Sequence, residues 1–161
     1  MIARIFPLLL LALTLVACGG DTATQEEGAT ALTPEQRAEQ EAAWNNMMEA
    51  HDRVMPRMGD LYAATKQLIP IMEGAKEQNP DLYTQAHEAI LALEEAEDGM
   101  MDWMNGVKEQ PLDSLRAKYD HAGIMANIDR QQVTIEEVEK DFDTSLDNAK
   151  SFLEEQTSGG Q

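Results

Sequence analysis

Trp44, His51, Met58, Thr65 and Met72 stand seven apart in this chain, flanked by Met47 and Met48, Val54 and Met55, Leu61 and Tyr62, and Leu68 and Ile69. A row of that kind is one broad apolar face of a helix, and it places His51 on the centreline of the buried side. Thr33-Pro34-Glu35-Gln36 supplies a start signal ahead of it. Thr33 suits a cap, Pro34 suits the first helical position, and Gln36 can complete a capping box. The stretch "EQRAEQEAA" that follows has no apolar face, so the first turns are expected to stand free or fray. Pro56 and Pro70 fall on the outer face, which leaves a kinked continuous helix open although an interior proline costs about 3 kcal/mol; a break at one of them is the competing reading.

Asn79-Pro80 then punctuates the chain. A second stripe runs from Leu82 through Ile90, Leu93, Met100 and Met104 to Val107, interrupted by the solvated acidic run "EEAEDG", and Asn105-Gly106 with Pro111 closes it. A third stripe carries Ile124, Ile128, Ile135, Phe142, Leu146 and Leu153. Residues 112–123 form either its first turns or a short separate helix. No strand alternation occurs anywhere. Three long amphipathic helices with short joins bury their stripes most simply as an all-α, up-down-up antiparallel three-helix bundle with a long kinked first helix. An extended coiled coil is the alternative.

The N-terminus is of a different kind. Residues 1–4 carry one positive charge and residues 5–16 are an apolar run of about a dozen residues, short of the roughly 20 a spanning helix needs. Leu15-Val16-Ala17-Cys18 resembles the lipobox of bacterial lipoproteins, in which the cysteine is lipidated and becomes the mature N-terminus. The resemblance implies a signal peptide over 1–17 and two or three acyl chains on Cys18, enough for stable anchoring, since each buried methylene contributes about 0.8 kcal/mol. Gly19 after the cysteine favours sorting to the outer membrane, and Gln25-Glu26-Glu27 is acidic like the surface-export signals of Bacteroidota lipoproteins. Residues 18–32 read as a flexible tether with a reach of roughly 20 Å. The helical bundle is then expected over 33–156, and 157–161 as a disordered tail. Cys18 is the only cysteine, so no intrachain disulfide can form.

With 30 acidic against 12 basic residues the net charge is −18. Such a surface repels nucleic acid and anionic headgroups, while attracting cations or basic partners. Signals of catalysis are missing. No Glu stands three residues before His51, His87 or His121, so the Glu-x-x-His pair of di-iron bundles is absent. There is no Gly-x-Ser-x-Gly, no Cys-x-x-Cys-His and no glycine-rich loop inside the helical region.

What stands out is thioether sulfur near histidine, in "MMEAHDRVMPRMG" and "GMMDWM". If two helices turn back at Asn79, Met58 and Met100 lie level, as do Met55 and Met104. A further reversal near Gln110 brings His121 into the same layer. His51, Met55, Met58, Met100, Met104 and His121 then form a candidate site for copper(I) or silver(I), which favour soft sulfur and imidazole ligands. The simpler reading has no cofactor: methionine fills an irregular core and His51 is a satisfied core histidine.

"HDRVMPRMGDLY" followed by "EEAEDGMMDWM" resembles a group of small helical envelope lipoproteins of the Bacteroidota and relatives, often labelled "viral A-type inclusion protein". The resemblance spans roughly residues 44–153. It implies a helical lipoprotein of the cell envelope and brings no activity, ligand or catalytic residue with it. The expectation is a non-catalytic interaction or structural module, tethered to the membrane and docking an envelope partner, with a periplasmic soft-metal protein as the alternative.

Overall fold

The computed structural model describes residues 31–158, and all their regular structure is helical. Cys18, the expected signal peptide over 1–17 and most of the expected tether lie outside the described residues. In chain order the elements are α1 (Pro34–Val54), a 3-10 turn (Met55–Arg57), α2 (Met58–Ala75), α3 (Pro80–Glu109), α4 (Leu112–Lys118) and α5 (His121–Ser158).

Local chemistry explains each boundary. Thr33 and Gln36 form the reciprocal capping box, at 3.0 and 3.2 Å, and satisfy two of the amides a helix start leaves unpaired. The exposed Glu35 carboxyl in that turn is held below its ordinary pKa by backbone N–H donation and the Thr33 hydroxyl. Asn79 caps α3 through Leu82 N–H at 3.2 Å, with Pro80 in the first turn. Asp120 accepts from Gly123 N–H at 2.8 Å and caps α5. Pro56 falls in the 3-10 turn that separates α1 from α2. Pro70 lies inside α2 on the exposed side, where the carbonyl that its missing N–H leaves unpaired is close to water, and the helix continues past it.

Several sequence expectations shift in detail. α3 runs through Asn105-Gly106 to Glu109, because a lone glycine weakens a packed helix without ending it. Residues 112–118 are a separate helix. Thr157 and Ser158 continue α5, each hydroxyl bonding back to the Glu154 carbonyl. Leu32, assigned to the tether, packs on a small cluster of Leu115, Ile124 and Ile128.

The first stripe is displaced sideways. Met47, Val54, Leu61, Leu68 and Ala75 are the buried seven-residue row, joined by Ala50 and Ala64. Trp44, His51, Met58, Thr65 and Met72 are only half-buried. Between them α1 and α2 lie against two neighbours, α1 on α5 and α2 on both α3 and α5, so their deepest line points toward those helices and the bulkier row flanks it. On α5 the core line likewise passes through Ser145 and Phe152, and the larger Leu146 and Leu153 sit half-buried at its edge. The Ser145 hydroxyl is satisfied by the Phe142 carbonyl at 3.3 Å, which removes most of the cost of placing it inside.

Cross-helix pairs give the directions. Arg53 forks onto Glu139 at 3.0 and 3.3 Å, and Arg57 reaches Asp143 at 2.7 Å. Both partners advance by four, so α1 and its continuation run in the same sense as α5. Trp103 donates its indole N–H to the Gln131 carbonyl at 2.9 Å, and a Cβ built on Gly99 would meet Val138 at 3.6 Å. There the numbers run in opposite directions, so α3 is antiparallel to α5. One core cluster links α1, α2, α3 and α5, with Phe142, Leu61, Leu93 and Met100 at its centre. Each such side chain contributes about 1.5–3 kcal/mol by leaving water.

Candidate functional site

Three places combine chemistry with geometry. The first is the layer where the two methionine-rich stretches meet. The His51 ring stacks on Trp103, centroids 5.5 Å apart and planes 22° from parallel, so the pairing across Asn79 does bring "MMEAHDRVM" onto "GMMDWM". His51 Nδ1 lies 2.9 Å from the Asp52 carboxylate. In the neutral ring an acceptor there places the proton on Nδ1 and leaves Nε2 with a lone pair. The His51 side chain is 17% exposed, at the edge of the core and not on its centreline.

The methionines separate by depth. Met100 is fully buried, Met58 and Met104 are half-buried against the core, and Met55 is exposed. His121 does not join them. Its ring contacts Gln40 at 3.2 Å and Glu39 at 3.2 Å, residues 11 and 12 positions upstream of His51, or about 16–18 Å along α1. The expected single layer placed the second reversal at Gln110. The pairs Trp103–Gln131 and Gly99–Val138 instead centre on about residue 118, because α4 takes the corner. His121 is thereby carried past the end of α3.

The second place is the cluster His121 belongs to. Gln40 is fully buried; its oxygen accepts from Arg116 Nε at 2.8 Å, and its nitrogen faces His121 Nδ1. Arg116 also donates to the Arg37 carbonyl and to Glu41, at 3.1 and 3.2 Å. These bonds tie α1, α4 and the start of α5 together. The first turns of α1 are therefore anchored by polar contacts where no apolar face exists. The pairing of a buried glutamine with a distant arginine is central to this, and no spacing in the sequence announces it.

The third is a groove of about 440 Å³ between α2 and α5. Ala63, Ala64, Leu146 and Leu153 make its apolar walls, and Asp60, Asp147 and Glu154 stand along its rim with Lys150. It opens where α1 has given way to α2, past the Pro56 turn, and where alanines on α2 face leucines pushed to the edge of α5. The row Arg53, Arg57 that neutralises α5 carboxylates beside α1 has no counterpart here. Glu139 raises the Arg53 guanidinium pKa by hydrogen bond and charge, whereas Lys150 in the groove only approaches Glu154 at 3.9 Å.

Among the described residues no group of three or more His, Cys, Asp or Glu converges as metal ligands, and no helix is long and apolar enough to cross a membrane. Comparison of the chain with protein families, with curated proteins and with solved structures returned no match.

Proposed function

We propose that this protein is a non-catalytic envelope lipoprotein, anchored through Cys18 at the outer membrane, whose helical domain docks a basic amphipathic helix of an envelope partner. The domain itself is proposed as an up-down-up three-helix bundle, with α1 and α2 acting as one bent rod, α3 as the second and α5 as the third. The pairings of Arg53, Arg57 and Trp103 with α5 support that arrangement.

The observation that carries the docking reading is the groove between α2 and α5. Alanine and leucine walls suit the apolar face of a helix laid between two others. Asp60, Asp147 and Glu154 at the rim select Lys and Arg on its flanks, and the −18 net charge steers a basic partner toward the domain while repelling a second copy of the chain. Tethering at Cys18 confines the domain to partners at the same membrane.

The test uses the full chain in detergent with two synthetic amphipathic helices of identical apolar face, one flanked by lysines and one by glutamates. The lysine peptide is expected to bind, to weaken as salt rises, and to lose affinity on Ala63→Trp, an exposed position where the added ring fills the groove. Asp60→Lys with Asp147→Lys should move the preference toward the glutamate peptide. Equal binding of both peptides, or binding untouched by Ala63→Trp, rejects the groove as the docking surface.

A further inference from the structure

From the His51 layer we infer a binding site for a soft monovalent cation, copper(I) or silver(I), made by His51 with the thioethers of Met48, Met55 and Met104. This is a narrower set than the methionine content suggests, and it contains one residue, Met48, outside the group expected from level positions. The site draws on α1, the 3-10 turn and α3, and shares no residue with the docking groove between α2 and α5.

The argument begins with His51. Asp52 takes its Nδ1 at 2.9 Å, and among the described residues no hydrogen bond engages Nε2. A carboxylate on one ring nitrogen with the other free is the arrangement that orients an imidazole toward a metal and raises its basicity. Stacking on Trp103 fixes the ring plane, so the lone pair has a set direction before any ligand arrives.

Methionines flank His51 along the chain. Met48 precedes His51 by three and Met55 follows by four, spacings that put Cβ atoms about 5–6 Å apart on one helical face. The geometry holds at Met55, since its backbone N–H still bonds the His51 carbonyl and its dihedrals are helical. Met104 follows Trp103 directly on the facing helix, and like Met48 it is half-buried against the core. Met100, wholly buried, is committed to packing, and His121 is a layer and more away. Imidazole nitrogen with thioether sulfur is a soft ligand set that selects copper(I) or silver(I) over zinc or magnesium. The acidic surface raises the local concentration of any cation without competing for a soft one.

The experiment loads the full chain in detergent with copper(I) under anaerobic conditions against a chromophoric copper(I) chelator, and with silver(I) while the methionine methyl carbons are followed by NMR. One equivalent retained per chain is expected, with the Met48, Met55 and Met104 methyl signals moving together and Met100 unmoved. Met55→Leu, at an exposed position that leaves the fold intact, should weaken retention, and His51→Ala should abolish it. Asp52→Asn should lower affinity by about tenfold if the carboxylate orients the ring. No retention against the chelator, retention unchanged in Met55→Leu and His51→Ala, or movement confined to other methionines would each overturn the assignment.

Discussion

Arg116 donates its Nε–H to the side-chain oxygen of Gln40 at 2.8 Å, across 76 positions of sequence, and the glutamine that accepts it is wholly buried. A polar residue at that depth costs free energy unless every group is satisfied, so the pair fixes where α4 sits against α1. It also gives "EQRAEQEAA" a place in the fold that its lack of an apolar face would deny it.

Breaking that pair from one side should be worse than removing it. Arg116→Ala leaves the Gln40 oxygen buried without its donor and should destabilise the domain by about 1–3 kcal/mol. Gln40→Leu with Arg116→Met, which removes both the buried amide and its donor and leaves only the half-exposed His121 Nδ1 without its Gln40 partner, should recover much of the loss. Urea midpoints of the single and double variants check this; additive losses would show that the pair is not coupled.

Depth separates the methionines. Met100→Ala removes a fully buried side chain and should cost about 2–5 kcal/mol. Met58→Ala, half-buried on the flanking row, should cost less than Met100→Ala. Thermal melts of the two variants rank them, and a larger loss at Met58 would restore the sequence-based centreline.

Repulsion along α3 should make stability depend on salt. Asp81, Glu88, Glu95, Asp102 and Glu109 recur every seven residues, about 10.5 Å apart along the axis. Glu137 and Asp141 line the same cleft as Asp102. None of these carboxylates is in an ion pair among the described residues. Screening them should raise the melting temperature as sodium chloride increases, by about 3–5 °C for each kcal/mol relieved. A melting temperature that falls with salt would mean that the arginine pairs to α5 outweigh the ladder.

The proposed anchor is tested by fractionation. Cys18→Ser should move the protein from the membrane to the soluble fraction, since no described helix is long and apolar enough to cross a membrane. Retention at the membrane after the substitution would reassign the anchor.

Sequence alone determined that the described residues are helical, because apolar residues at a seven-residue spacing bury one face most simply as a helix. It located the caps at Thr33 and Asn79, since a hydroxyl or amide beside a proline satisfies the amides a helix start leaves open. It also suggested that the two methionine stretches face each other across the Asn79 turn; His51 stacks on Trp103, 28 residues before Asn79 against 24 after it, so the stretches touch about one helical turn away from the level register. Tertiary structure decided the rest. Which of several adjacent apolar rows is deepest depends on how many helices a helix touches, and α1 with α2 touches two. Whether His121 meets His51 depends on how the chain turns its second corner, and α4 takes up that corner with seven residues of its own. Those outcomes are set by long-range packing and by a buried Gln40–Arg116 bond, whose partners carry no mark in the sequence to say that they will meet.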